Sequence, residues 1–588
     1  MATKKKSASG AGGGRQQTGS TAGGDGPTNR ELIVLAKPDA GLRASPRGVA
    51  SATGTDTSSL TEVLDSMGVT MEPLFGLAEE RIDHQAAAAM DNLQAEDVQL
   101  SQFYCVSVSD EKMDDLADKL QANPLVEGAY VKPAAELAAT TEEDALGELH
   151  EDAELEISES VNDMMPLADE APLTTPSFVS RQLYLNPAPV GVNAPHAWRY
   201  RGGGGTGVNI IDLEWGWRFT HEDLRQNQGG VVAGSNSASD NHGTAVLGEI
   251  SGDRNAYGIT GICPEARVSA VSFTTIPTAR AIRMAADRLR RGDVMLLEIH
   301  RAGPRHNFQG RADQRGYVAV EWWPDDYAAI RYAVSRGVIV VEAAGNGREN
   351  FDDRIYDVRP PGFPATWRNP FNPVNSSSFA VVVGAGAPPP GTHGRNHGPD
   401  RSRLGFSNYG RRVDCQGWGR EVTATGYGDL QGGADRNQWY TDTFSGTSSA
   451  SPIVVGALGC VQGILRARSA TLLTSASAIR LLRTTGSPQT NAPGRPRTQR
   501  IGNRPNLQQM IARVIPRRVT TAALYRYWNP RIGDHFYTTN WSELGRGRHA
   551  YRVRRGGSRP LDRRRKRQRH PSRAVRRNRH GLGAGGWR

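Results

Sequence analysis

The chain has 588 residues, a formal charge of +10 and 37% hydrophobic residues, with a mean hydropathy of −0.52. This length exceeds one compact core and predicts several domains. No run of 18 or more consecutive apolar residues occurs, so no membrane span is predicted.

The basic charge is local. Residues 551–588 hold 15 Lys/Arg against one Asp, a charge of +14, which leaves the rest of the chain at −4. Such a tail can bind nucleic acid. Nucleic acid is not the expected partner, because the tail is nearly all Arg and almost without aromatics. The four cysteines, Cys105, Cys263, Cys415 and Cys460, have neither metal-ligand spacing nor a disulfide framework.

In chain order, residues 1–30 read as a flexible tail; a basic start without an apolar stretch is no secretory signal. Residues 31–133 follow a β-α-β-β-α-β order. "ELIVLA" (31–36) is a strand, and Leu60, Val63, Leu64 and Met67 form one helix face. "VTMEPLF" (69–75) and "FYCVSV" (103–108) are strands. A helix from Asp110 carries Met113, Leu116 and Leu120, and "LVEGAYV" (125–131) closes the unit. This is the order of a small ferredoxin-like α+β domain. Residues 81–93 interrupt it, with an extra helix as one reading. Residues 134–185 read as a linker: 141–170 contain 12 Asp/Glu and no Lys or Arg, a self-repelling composition.

Residues 186–485 alternate short apolar runs with helical segments. The runs are "VNII" (208–211), "ARVSAVS" (266–272), "VMLLEI" (294–299), "VIVVEAA" (338–344) and "FAVVVGAGA" (379–387). The pattern predicts an α/β fold, a mainly parallel sheet with helices on both faces. Ligands of such sheets gather beyond the carboxyl ends of the strands, which draws attention to Asp212, Glu298 and Asn346. Residues 486–520 read as a second linker and 521–552 as a partial aromatic module, "LYRYWNPRIGDHFYTTNWSELGRG" (524–547). Residues 553–588 complete the Arg-rich tail.

Three segments carry candidate chemistry: Asp212 after "VNII", His242 in "DNHGTAVLGEI" (240–250), and Ser448 in "FSGTSSASPIVVGALGCV" (444–461). A serine hydroxyl needs a base, and the base needs a carboxylate to fix its tautomer. The surrounding hydroxyls are expected to cap the helix that begins there. "HGTAVLG", "GTSSASP", "VIVVEAAGNG" and "VNIIDLEWGW…HEDL" together resemble the motifs of the subtilisin-like serine proteases, the subtilases. The resemblance implies a serine endopeptidase with Asp212, His242 and Ser448 as its triad and Asn346 as oxyanion-hole donor. Asp212 is preferred to the rival Glu214 because it ends the apolar strand. His221 in "THEDL" reads as a turn residue.

The resemblance also implies a substrate-backbone segment at Glu298, Ile299 and His300, where the family's usual Ser-x-Gly-Gly is replaced. Glu298 either favours basic substrate side chains or pairs with Arg301, and 301–323 reads as an added loop. The chemistry needs no cofactor. Structural calcium is possible in the family, but two adjacent acids, Asp352 and Asp353, are also what a solvated turn carries, and no metal residue is assigned. Residues 31–133 take the place of an N-terminal propeptide, which implies a zymogen that cuts itself within 134–190. Expected partners are peptide substrates and this propeptide, on a monomer; the resemblance leans to a secreted protein, with a cytoplasmic one as the alternative. The competing function is a catalytically inactive subtilase-fold binding protein, held to a surface by its aromatic module.

Overall fold

The computed structural model describes residues 29–45, 48–76, 81–82, 100–139, 174–375, 377–515, 525–529 and 531–538. The expected acidic run 141–170 and the Arg-rich tail lie outside them, as does most of the 81–93 interruption.

The N-terminal region is a four-stranded antiparallel sheet. Its strands are β1 (Glu31–Ala36), β2 (Met71–Pro73), β3 (Phe103–Val106) and β4 (Val126–Lys132), in the order β2-β3-β1-β4. Helices α1 (Ser58–Met67) and α2 (Asp110–Gln121) join the pairs, giving the expected β-α-β-β-α-β order. Leu60, Leu64, Leu116 and Leu120 bury one face of each helix against Leu32 and Val34 of β1, as spacing of three and four residues requires.

The chain does not leave this region at the expected linker boundary. Residues Ala135–Leu137 form another strand, β5. Then, from 174, the chain builds a seven-stranded sheet whose neighbouring strands all pair in parallel. Its strands are β6 (Asn209–Glu214), β7 (Gln228–Ala233), β8 (Arg267–Ser272) and β9 (Val294–Leu297), followed by β12 (Ile339–Ala343), β13 (Val381–Gly386) and β14 (Cys415–Trp418). The order is β14-β13-β12-β9-β6-β8-β7. Between β9 and β12 run β10 (Ile299–Ala302) and β11 (Tyr317–Ala319), which with β5 form the small sheet β11-β10-β5.

The helices that position the site are α3 (Asn241–Ser251), α4 (Thr278–Arg288), α5 (Pro324–Ser335) and α6 (Thr447–Ala467). Helix α6 is long and apolar enough to cross a membrane by length and composition, yet its apolar window is wholly buried in the protein. It is hydrophobic all round because it runs through the core. Residues 486–515, read as linker, are packed instead. Ile501 and Arg504 are fully buried, and a further helix spans Leu507–Val514. A separate C-terminal unit begins at Ile515. Its described part is a hairpin of Tyr525–Asn529 and Asp534–Thr538.

The N-terminal sheet meets the parallel-sheet region through buried charges. Lys132 Nζ lies 2.6 Å from Asp325 and 2.9 Å from Asp326 in the first turn of α5, and 3.2 Å from Glu31. Arg301 reaches Glu31 at 2.8 Å and donates to the Pro133 carbonyl. Although burial opposes its charge, Lys132 and Arg301 hold the Glu31 carboxyl down to about 2. Removing one partner from such a set strands the other charges in low dielectric. Lys132→Met is therefore expected to cost about 3–5 kcal/mol, read as a lower urea midpoint.

Candidate active site

In a doubly wound sheet the strand order reverses at one point, and sites form there. Here it lies between β6 and β9. Strand β6 runs three residues beyond the apolar run, to Glu214. Asp212 and Glu214 are two apart on one strand, so both side chains leave on the same face, and both are fully buried.

His242 occupies the first turn of α3, and its Nδ1 is 2.8 Å from Glu214 Oε2. Asp212, expected to hold the histidine, instead accepts from Trp217 Nε1 at 2.7 Å through Oδ2. Gly243 permits this arrangement, since a Cβ there would come within 2.5 Å of the Trp217 ring. The ring of Phe444 meets His242 edge-on at 5.3 Å. Burial, then Glu214, pushes the Asp212 carboxyl well above the ordinary range, while burial lifts Glu214 to about 8.

Ser448 is the second residue of α6 and fully buried. The hydroxyls around it do not cap the helix as expected: the N-cap is Gly446, which has no side chain of its own. Ser449 donates to the carbonyls of Trp418 and Gly446, and Ser451 to that of Thr447. Gly446 stands at φ +106, in a conformation only glycine adopts readily. A Cβ there would lie 2.2 Å from the Ala138 carbonyl oxygen.

That carbonyl belongs to the end of a strand laid along β10. Strand β5 pairs antiparallel with β10, setting Leu137 opposite Ile299, Glu136 opposite His300 and Ala135 opposite Arg301. The Ala138 amide donates to the Glu298 carbonyl at 3.4 Å, and the Ser448 amide donates to the Ala138 carbonyl at 3.2 Å. An extended stretch of this protein's own chain therefore lies along β10, with one peptide carbonyl on the backbone of Ser448.

Asn346, after β12, is 2% exposed. Its Oδ1 accepts from Thr447 N at 3.0 Å and Thr447 Oγ1 at 2.9 Å, and its Nδ2 donates to Gln314 at 3.2 Å. Its backbone amide donates to His300 Nδ1 at 3.2 Å. Burial drives His300 down to about 3, so the ring is a neutral acceptor.

Glu298 is fully buried, and neither carboxylate oxygen has a hydrogen bond. Burial, then Asp212 and Glu214, hold its carboxyl well above the ordinary range. Its carbonyl meets the seated segment, and Arg301 pairs with Glu31 and Asp326 rather than with Glu298. His221 lies apart, donating from Nε2 to the Trp439 carbonyl at 2.8 Å. Asp352 is bound by Arg411 and Asp353 by Arg305.

The structure thus brings Asp212, Glu214, His242, Glu298, Asn346 and Ser448 to one end of the sheet. Sequence reasoning missed Trp217, Thr447 and Gln314. Trp217 lies in one quoted motif and Thr447 adjoins Ser448 in another, whereas nothing periodic marks Gln314.

Residues 191–502, more than half of the chain, match the family described as the subtilase family of peptidases. The chain belongs to the subtilase family. It is a subtilisin-like serine protease by distant homology. The intracellular serine protease of Paenibacillus polymyxa is 25% identical over 311 residues, 49% of this chain and 77% of that one. Subtilisin BL of Lederbergia lenta is 28% identical over 279 residues, 46% of this chain and 81% of that one. Thermitase of Thermoactinomyces vulgaris is 27% identical over 303 residues, 48% of this subtilase and 83% of that one.

Proposed function

We propose that this subtilase is a serine endopeptidase made as a self-processing zymogen, and that its own Ala138–Ala139 bond is its first substrate. The observation that carries the reading is the seated segment: an antiparallel strand on β10 whose Ala138 carbonyl accepts from the Ser448 amide. A peptide bond in that position is presented to a serine at a helix start.

In this reading Ser448 Oγ attacks the Ala138 carbonyl carbon as the neutral His242 takes its proton on Nε2. Glu214, on Nδ1, fixes that tautomer and stabilises the imidazolium. Charge develops on the Ala138 oxygen, where the Ser448 amide already donates and a hydrogen of Asn346 Nδ2 adds to it; donors set in advance at a water-poor site need little reorganisation. The carbon–nitrogen bond breaks, and His242 returns its proton to the Ala139 nitrogen. Water then releases the acyl group by the same steps. Residues 31–133 serve as the propeptide, and 135–138 fill the groove until the cut. Substrates on the same path are extended peptides bound mainly through their backbone.

A fluorophosphonate probe tests this. The full chain is expected to be labelled at Ser448, and Ser448→Ala to take up none. Absence of labelling, together with absence of peptide cleavage, would instead support an inactive subtilase fold used for binding.

A further inference from the structure

The loop between β10 and β11 belongs to the added stretch 301–323, and its tip is tightly built. Asp313 accepts from Arg311 Nε at 2.8 Å and Nη2 at 2.7 Å, and from the Arg315 amide at 3.2 Å. Gln314 donates its own amide to the Arg311 carbonyl and accepts from the Tyr317 amide. Its backbone is held at φ +52, a conformation that non-glycine residues seldom adopt. Such a conformation persists where the surroundings over-determine it.

The side chain so aimed makes two contacts. Nε2 donates to the Leu137 carbonyl at 3.1 Å, and Oε1 accepts from Asn346 Nδ2 at 3.2 Å. A primary amide has two donor hydrogens and an acceptor oxygen on one rigid plane, so both contacts can stand together. Asn346 is fixed from its other side, because its Oδ1 takes both donors of Thr447. Its Nδ2 carries two hydrogens; Gln314 takes one, and the second remains for an anion.

We infer that Gln314 is a substrate-positioning residue of this protease: it grips the main-chain carbonyl one residue before the cleaved one, and the same amide holds Asn346 in its anion-binding orientation. The inference rests on the reading of Ser448 and Asn346 given above. It links the seating of substrate backbone to the readiness of the anion site. The substrate's side chains contribute nothing to this contact, so it applies to any extended peptide.

The test uses the self-processed full chain and a fluorogenic peptide containing Ala-Glu-Leu-Ala-Ala. A second peptide carries sulfur in place of the Leu carbonyl oxygen. Sulfur is a poorer and larger acceptor, while the neighbouring N–H groups are kept. In the wild type the sulfur is expected to lower kcat/KM about fivefold. Gln314→Met is expected to lower kcat/KM on the oxygen peptide about tenfold, with KM raised and kcat reduced. In that variant the sulfur penalty should vanish.

The penalty is a ratio within each enzyme, so a variant that folds poorly still reports it. An equal penalty in wild type and Gln314→Met, or none in the wild type, overturns the inference. Failure of the wild type to cut either peptide would strike the protease reading instead.

Discussion

A chain carrying Ser448→Ala should remain whole, while the wild type separates into two pieces with Ala139 as the new N-terminus. The bond is already in place: β5 lies along β10, the Ala138 carbonyl accepts from Ser448 N at 3.2 Å, and the proposed nucleophile belongs to the same molecule. Holding reactants together in this way is worth effective molarities of about 10⁵–10⁸ M. Removing the nucleophile of a triad costs about 10⁶ in kcat, which turns a reaction of minutes into one beyond the life of a preparation. Intact mass and N-terminal sequencing measure the outcome. The same new terminus, formed at the same rate in Ser448→Ala, would mean that another protease makes the cut.

The two neighbouring carboxyls of β6 should behave differently. Glu214→Gln is expected to lower kcat about 10⁴-fold, as loss of the carboxylate on a catalytic histidine does elsewhere. The amide can orient the ring only through its oxygen, and it offers no charge to the imidazolium. Asp212→Asn should cost about tenfold or less, because an amide oxygen can still accept from Trp217 Nε1. Peptide hydrolysis by the two variants decides the matter; the reverse order would make Asp212 the partner of His242.

The same pair sets a pH dependence. Burial lifts the Glu214 carboxyl from 4.5 to about 8. Activity that needs its charge should therefore rise as pH passes about 8 in the wild type, and this limb should be missing in Glu214→Gln. Stability runs the other way. A carboxyl whose folded value is raised binds its proton more tightly in the folded chain. That contribution is complete below 4.5 and is lost as pH climbs to about 8.

Much of the fold was legible because it rests on periodic burial. The helix faces of Leu60 and Leu64, or of Leu116 and Leu120, follow from spacing, and the apolar runs foretold a parallel sheet. The end of β6 was not legible in the same way. Its last residues include Asp212 and Glu214, whose buried carboxyls look polar in sequence and are accommodated only by Trp217 and His242. Hydropathy therefore stopped the strand early and drew attention to Asp212, whereas the side chain against His242 Nδ1 is that of Glu214. Gln314 was hidden for another reason. Its role comes from a turn that brings it to Asn346, 32 positions away, and no local pattern encodes such a meeting. The stretch 135–138 looked like the start of a linker because strand addition draws on main-chain groups, to which composition is blind.

That main-chain pairing has a consequence for the newborn protein. A bare sheet edge offers its N–H and C=O groups to any passing strand and invites neighbouring molecules to join edge to edge. With β5 in place, the β10 edge is already satisfied. On the zymogen reading proposed above, the segment that keeps the groove idle would also shield the molecule from sticking to its siblings, and its release would give up both protections together.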